Sequence, residues 1–318
     1  MSVSLAKFFE RFILSPKFVA IFQFACLLLL GSIVFYQIDK NELWSFLFNL
    51  RISDGLLSCF LIFLGAVVAA YRQVLVLQFV NIYVEKIVML KIIFKSYFYG
   101  QFLPSSMGQD AVKIFLLKSI GINWGRGIQA IINDRTTMVL FQASLCVAFF
   151  PILMSFNSNI DNTIIVGLTV TSAIFFSIAL AIFQTKKYQK LLPEKMAGFL
   201  NNKIGFIEFE NLAYKRILLV CFLQLVFNVA SLAVLIYGMG IKIGVISVFV
   251  FFPFVAILSA LPLTIGGWGI REMCFITFFE ILGQSKTEAV GISIIWGVLG
   301  VLTYASVFLF LKYKTEEM

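Results

Sequence analysis

The sequence contains no histidine. That absence removes the side chain most often used as a general base near neutral pH and most often used as a metal ligand. Cysteine occurs five times, at Cys26, Cys59, Cys146, Cys221 and Cys274, always alone and mostly within apolar runs. With no CxxC spacing, neither a zinc site nor a redox pair is indicated, and the expected role is that of a small buried hydrophobe. No metal and no cofactor is expected. Charge is scarce too: Asp, Glu, Lys and Arg make up 13% of the 318 residues, about half the share of a soluble domain. Such a chain has no room for a soluble catalytic domain. Acids are rarer than bases, 16 against 25, for a formal net charge of +9. In a membrane protein that excess fits basic loops on an anionic cytoplasmic leaflet, so no nucleic-acid partner is expected.

What the sequence does have is apolar length. Hydrophobic residues make up 61% of it, in runs near the roughly 20 residues that a helix needs to cross about 30 Å of hydrocarbon. Six such runs are expected to span, at residues 18–38, 56–80, 136–154, 163–184, 217–237 and 291–312. A short amphipathic helix at 4–16 and a surface-lying segment within the Lys186–Lys203 loop complete the membrane-bound elements. Arg72, inside the second run, is expected to reach out to the headgroups along its own apolar stem. Asp134-Arg135 is read as standing at the start of the span 136–154.

Two further apolar segments, near 84–120 and 245–282, are interrupted by related motifs. Residues 103 to 113 read Leu-Pro-Ser-Ser-Met-Gly-Gln-Asp-Ala-Val-Lys, and residues 261 to 271 read Leu-Pro-Leu-Thr-Ile-Gly-Gly-Trp-Gly-Ile-Arg. At a constant offset of 158 (261 − 103), Leu103, Pro104 and Gly108 return as Leu261, Pro262 and Gly266. Ser106 becomes Thr264, and Lys113 becomes Arg271. Pro and Gly break helices, so Pro104, Gly108, Pro262, Gly266, Gly267 and Gly269 mark turns between paired short helices. Broken helices at corresponding places in two halves point to a transporter-like binding site.

The positive-inside rule places both termini and the Lys186–Lys203 loop in the cytoplasm, and Asp161 outside. Three spans then separate the two motifs, so the first is approached from the cytoplasm and the second from outside. The expected fold is an all-α polytopic membrane protein: about six full transmembrane helices plus two re-entrant broken-helix segments in an inverted-topology repeat. It forms a single integral membrane domain, 1–318, with a first half 1–160 and a second half 161–318, in a bacterial cytoplasmic membrane.

A charged side chain at mid-membrane costs roughly 2.5–3.5 kcal/mol on insertion scales. Asp110, Lys113, Arg271 and Glu272 should therefore face one another or a hydrated cavity. The outgoing helices start near Ser106 and Thr264, residue types suited to helix N-caps, and free helix N-termini attract phosphate. One reading is two anion-binding half-sites, Lys113 serving one leaflet and Arg271 the other; the other is that these charges only pair and hold the hairpins together. At the offset of 158 the basic residues are equivalent, whereas Asp110 falls on Trp268 and Glu272 on Ile114. Asp134 and Arg135 are further binding candidates, the alternative being an interfacial anchor.

In these stretches, through Asp134-Arg135 and the second motif to Glu272, the chain resembles the lysylphosphatidylglycerol synthase transmembrane (flippase-like) family. The resemblance covers about residues 18 to 311 and is most specific in the second motif. The family's first motif often carries a Gly pair followed by an acid and Arg, where Gln109 and Lys113 stand here. The resemblance implies a role in moving or handling lipids with anionic or glycosylated headgroups, such as a phospholipid, an aminoacyl-lipid or a polyprenyl-phosphate-linked sugar. The sequence ends at Met318 without a soluble aminoacyl-transferring domain, so lysyl transfer by this chain is not expected. A transporter is expected rather than an enzyme. Two alternatives stay open: a membrane-embedded transferase using Asp110 or Glu272 as base, and a non-catalytic partner of a separate glycosyltransferase. Membrane lipids are the expected partners, and self-association is left open.

Overall fold

The computed structural model describes residues 40–101, 107–156, 162–183, 212–261 and 267–316, with Ser32 and Leu103. The expected helices at 4–16 and 18–38, Asp161, the Lys186–Lys203 loop, and the turn residues Pro104, Ser106, Pro262, Thr264 and Gly266 lie outside the described residues. Among the described residues every regular element is an α-helix. In chain order they are α1 Lys40–Phe48, α2 Ile52–Phe79, α3 Lys86–Gly100, α4 Met107–Ser119, α5 Trp124–Phe156, α6 Asn162–Phe183, α7 Leu212–Gly238, α8 Val245–Ser259, α9 Ile270–Ile281 and α10 Lys286–Glu316.

Three stretches, Ile52–Phe79, Tyr214–Gly238 and Lys286–Phe310, are long and apolar enough to cross a membrane. The 33 residues of α5 and the 22 of α6 also exceed the required length. Two expectations need correction. Residues 124–133 are the first turns of α5 itself, so Asp134-Arg135 sits inside a helix rather than at its start. Arg72 does not reach the headgroups: it is 5% exposed and donates through Nη2 to Asp134 Oδ2 at 3.0 Å. A carboxylate opposite an intramembrane guanidinium offers more than a distant interface does.

The most extensive helix pair is α2 with α7. Small buried residues Gly65, Ala66, Ala69 and Ala70 line α2 and let a partner backbone approach closely. A Cβ on Gly65 would lie 3.0 Å from Asn228 Oδ1. The two helices run antiparallel. Gly238, the last residue of α7, abuts Asp54 near the start of α2, and Val76 near the end of α2 clusters with Ile217 and Cys221 of α7.

The short helices form two hairpins. Met89 of α3 and Leu117 of α4 share one buried cluster, and the rings of Phe251 in α8 and Phe278 in α9 lie 4.2 Å apart. Turning so sharply needs small residues: a Cβ on Gly100 would run into Gln109, and one on Gly108 into Leu103. The same pairs of elements touch, though not equally closely, when α1–α5 and α6–α10 are exchanged in order. The hairpin helix α3 lies on α10 as α8 lies on α5, α4 on α5 as α9 on α10, and α1 on α10 as α6 on α5. Each hairpin therefore leans on the long helix of the other set.

Candidate functional site

Two charge clusters sit at the outgoing hairpin helices. In the first, Asp110 lies in the opening turn of α4, and Lys113 one turn on donates to its Oδ1 at 3.1 Å. Arg135 of α5 reaches the other oxygen at 2.5 Å. Asp110 and Lys113 are buried. The neighbouring residue Asp134 faces away from this cluster, because successive residues of a helix do not share a face. It holds Arg72 instead.

The second cluster opens α9. Gly267 and Gly269 both have positive φ, +82° and +91°, a conformation open to glycine. The Gly269 amide donates to Glu272 Oε2 at 2.5 Å, so the acid caps its own helix. Its Oε1 accepts from Arg271 Nη2 at 2.8 Å and from the Ser293 hydroxyl at 2.8 Å. The Arg271 guanidinium stacks over Trp268 at 4.4 Å, with Trp296 at 5.9 Å. It fills the room left by Gly297, where a Cβ would stand 2.5 Å from its Nη2.

A cavity of about 180 Å³ borders this second cluster. Arg271, Gly267, Ser259, Trp296 and Tyr304 line it, together with Gln101 from the connection between α3 and α4. Ser259 Oγ has no protein partner. The first cluster connects to the same space through aromatic rings. Lys113 Nζ lies 5.6 Å over Tyr97, whose ring meets that of Tyr304 at 5.2 Å. Both hairpins thus border one cavity, largely apolar in its lining, into which Arg271, Ser259 and Gln101 bring polar groups.

The family model for the lysylphosphatidylglycerol synthase TM region matches residues 17–307. The chain belongs to this family. No curated protein matches it significantly. As a member of the lysylphosphatidylglycerol synthase TM region family it is a multi-pass membrane protein, and the family's description ties it to membrane lipid.

Within this family member the two clusters are related differently from the motif spacing. The connection between the hairpin helices is residues 101–106 in the first case and 260–269 in the second, four residues longer. Counted from their ends, α4 and α9 align at an offset of 162 (281 − 119). At that offset Asp110 matches Glu272, both buried, and Leu117 matches Phe279, both at 0% exposure. The acids are the equivalent residues, and Lys113 matches Phe275. Arg135 matches Gly297, where Arg271 supplies the guanidinium from the opposite wall. Each carboxylate keeps an arginine, delivered from a different helix.

The sequence reading brought Asp110, Lys113, Arg271, Glu272 and Arg135 forward, and the structure groups them into these clusters, with Asp134 in a separate pair. It gave Arg72 to the headgroups rather than to a partner, and did not bring forward Tyr97, Ser293, Trp296, Gly297 or Tyr304. Only Arg72 carried a local signal, a lone charge within an apolar run.

Proposed function

We propose that this protein binds a lipid with an anionic or glycosylated headgroup and moves it between leaflets. The observation that carries this reading is the cavity bordered by both hairpins, with Arg271 displayed between two tryptophans. A guanidinium fork suits phosphate oxygens, and indole faces suit a sugar or glycerol backbone. In this reading α3–α4 and α8–α9 are re-entrant and the chain is an inverted repeat with halves 1–160 and 161–318. The antiparallel pair α2–α7 and the exchangeable packing support it. Buried irregular backbone is tolerable at membrane depth where it lines a wet cavity.

The carboxylates favour binding over chemistry. Asp110 holds Lys113 and Arg135, and Glu272 holds Arg271, Ser293 and the Gly269 amide. Each carboxylate oxygen already accepts from a cation or another donor, which suits a fixed electrostatic site better than a general base. The protein would sit in a bacterial cytoplasmic membrane with both termini inside, acting on lipids and open to a partner glycosyltransferase.

The test is headgroup accessibility in reconstituted vesicles. Arg271→Gln and Lys113→Gln should each abolish lipid movement while melting remains cooperative, and Arg271→Lys should keep part of it. Movement at the wild-type rate in both Gln variants would leave the charges with a structural role at most.

A further inference from the structure

The cavity bordered by both hairpins has a size and a sign of charge, and both restrict what it can take. Its volume is about 180 Å³, below the roughly 300–1,000 Å³ of sites that enclose a drug-sized ligand. That is room for a headgroup, with the acyl chains left to the bilayer. Among the described residues Arg271 is the single charged residue lining it. Glu272 and Ser293 hold its Nε and Nη2, which leaves Nη1 without an acceptor among the described residues. One cation with one spare nitrogen matches the single charge of a phosphodiester better than the several charges of a pyrophosphate.

Nothing in the cavity receives a positive charge. The buried acids Asp110, Asp134 and Glu272 are each paired with an arginine, and none of them lines it. The connections 101–106 and 260–269 contain no Asp or Glu. Aromatic faces can bind an ammonium group, but here Arg271 itself lies 4.4 Å over Trp268 and 5.9 Å from Trp296. The Tyr304 ring is packed on Tyr97. A lipid amine would therefore meet a guanidinium with no anion to offset it, in a low-dielectric setting where like charges repel more strongly than in water. What the lining does offer is neutral polarity. Ser259 Oγ is buried without a protein partner, and Gln101 brings a side-chain amide from the other hairpin. Buried hydroxyls are characteristically hydrogen-bonded, so Ser259 calls for a hydroxyl from solvent or ligand.

We propose that the cavity selects a phosphodiester lipid whose headgroup carries hydroxyls and no charge beyond the phosphate, and rejects aminated and aminoacylated lipids. This selectivity rests on the translocation reading above. Arg271 Nη1 takes a phosphate oxygen, and Ser259 and Gln101 take the headgroup hydroxyls. One hairpin supplies the cation and the hydroxyl, the other the amide, so the headgroup is read only where both hairpins meet.

The test uses the full chain in phosphatidylcholine vesicles with acyl-labelled phosphatidylglycerol, phosphatidylpropanol, phosphatidylethanolamine and lysylphosphatidylglycerol as probes. Phosphatidylglycerol should move about tenfold faster than either amine-bearing probe. It should also outpace phosphatidylpropanol, which has the same charge and no headgroup hydroxyl. Ser259→Ala should remove this second preference and keep the first. Gln101→Glu, which places a carboxylate in the cavity, should speed phosphatidylethanolamine and slow phosphatidylglycerol. Equal wild-type rates for all probes, or faster movement of an amine-bearing one, overturn the proposal. If Ser259→Ala does not fold, the Gln101→Glu ranking decides alone, and an unchanged ranking overturns the proposal. If no probe moves, the translocation reading fails, and melting in detergent with short-chain forms of the same lipids decides the selectivity separately. Greater stabilisation by phosphatidylglycerol than by the other three supports it, and equal stabilisation overturns it.

Discussion

At the scale of single residues, the site depends on what is missing at position 297. A methyl group there would collide with Arg271 Nη2 and with the Trp268 ring, 2.9 Å away. The guanidinium is anchored by Glu272 and Ser293, so it cannot swing aside without giving up charged hydrogen bonds worth roughly 1.5–3 kcal/mol. Gly297→Ala should lower the unfolding free energy by that order and reduce lipid movement, although no charge is altered. Thermal melting in detergent alongside the vesicle assay checks both; an unchanged melt with full activity would mean that Arg271 is not held where the structure has it. The charges of Asp110, Lys113, Arg271 and Glu272 were legible in the sequence because a charge in an apolar run needs a partner. The identity of the partners was not. Arg72 fits both a reach to the headgroups and an internal pair, and Asp134, 62 positions away, decides between them.

At the scale of elements, apolar length located the long helices, since crossing hydrocarbon demands it whatever the neighbours do. Their ends were less legible. Asp134-Arg135 looks like the start of a span because two charges are costly inside one; the helix itself begins ten residues earlier, and Arg72 and Asp110 arrive from α2 and α4 to pair with the two charges. Conversely, α10 begins with a local signal that was passed over. Ser285 Oγ accepts from the Glu288 amide at 3.1 Å while Glu288 Oε2 accepts from the Ser285 amide at 3.0 Å, a reciprocal cap readable as Ser-x-x-Glu. The four extra residues in the second hairpin connection explain why the motif offset misaligns the outgoing helices. The α2–α7 seam makes its own prediction. Gly65→Val would force atoms towards Asn228 and Phe227, and overpacking of this kind costs about 1–3 kcal/mol. Melting should show it, whereas Val introduced at exposed Gly240, which has nothing within 4 Å, adds only backbone strain from its positive φ.

At the scale of the molecule, the proposed inversion requires corresponding loops to lie on opposite membrane faces. Tyr83, between α2 and α3, and Lys242, between α7 and α8, are both exposed. In a cysteine-free background, Tyr83→Cys should react with an impermeant reagent from one side and Lys242→Cys only from the other. Reaction of both from the same side would remove the inversion and with it the two-leaflet mechanism.

The crossed support of the hairpins also bears on how the protein is made. The first hairpin rests on α10, through the contacts of Phe94 and Tyr97 with Tyr304 and of Phe98 with Phe308. On the ribosome, α3 emerges long before α10 exists. Until then only Phe94 has a ring on another helix to meet, Phe63 of α2 at 5.6 Å, while Tyr97 and Phe98 lack the partners they have in the finished fold. The early chain must wait at the interface, or in the care of the insertion machinery, for a helix synthesised near the end. Nascent chains arrested before α10 should therefore leave α3 open to protease, and release of α10 should close it in one step rather than helix by helix.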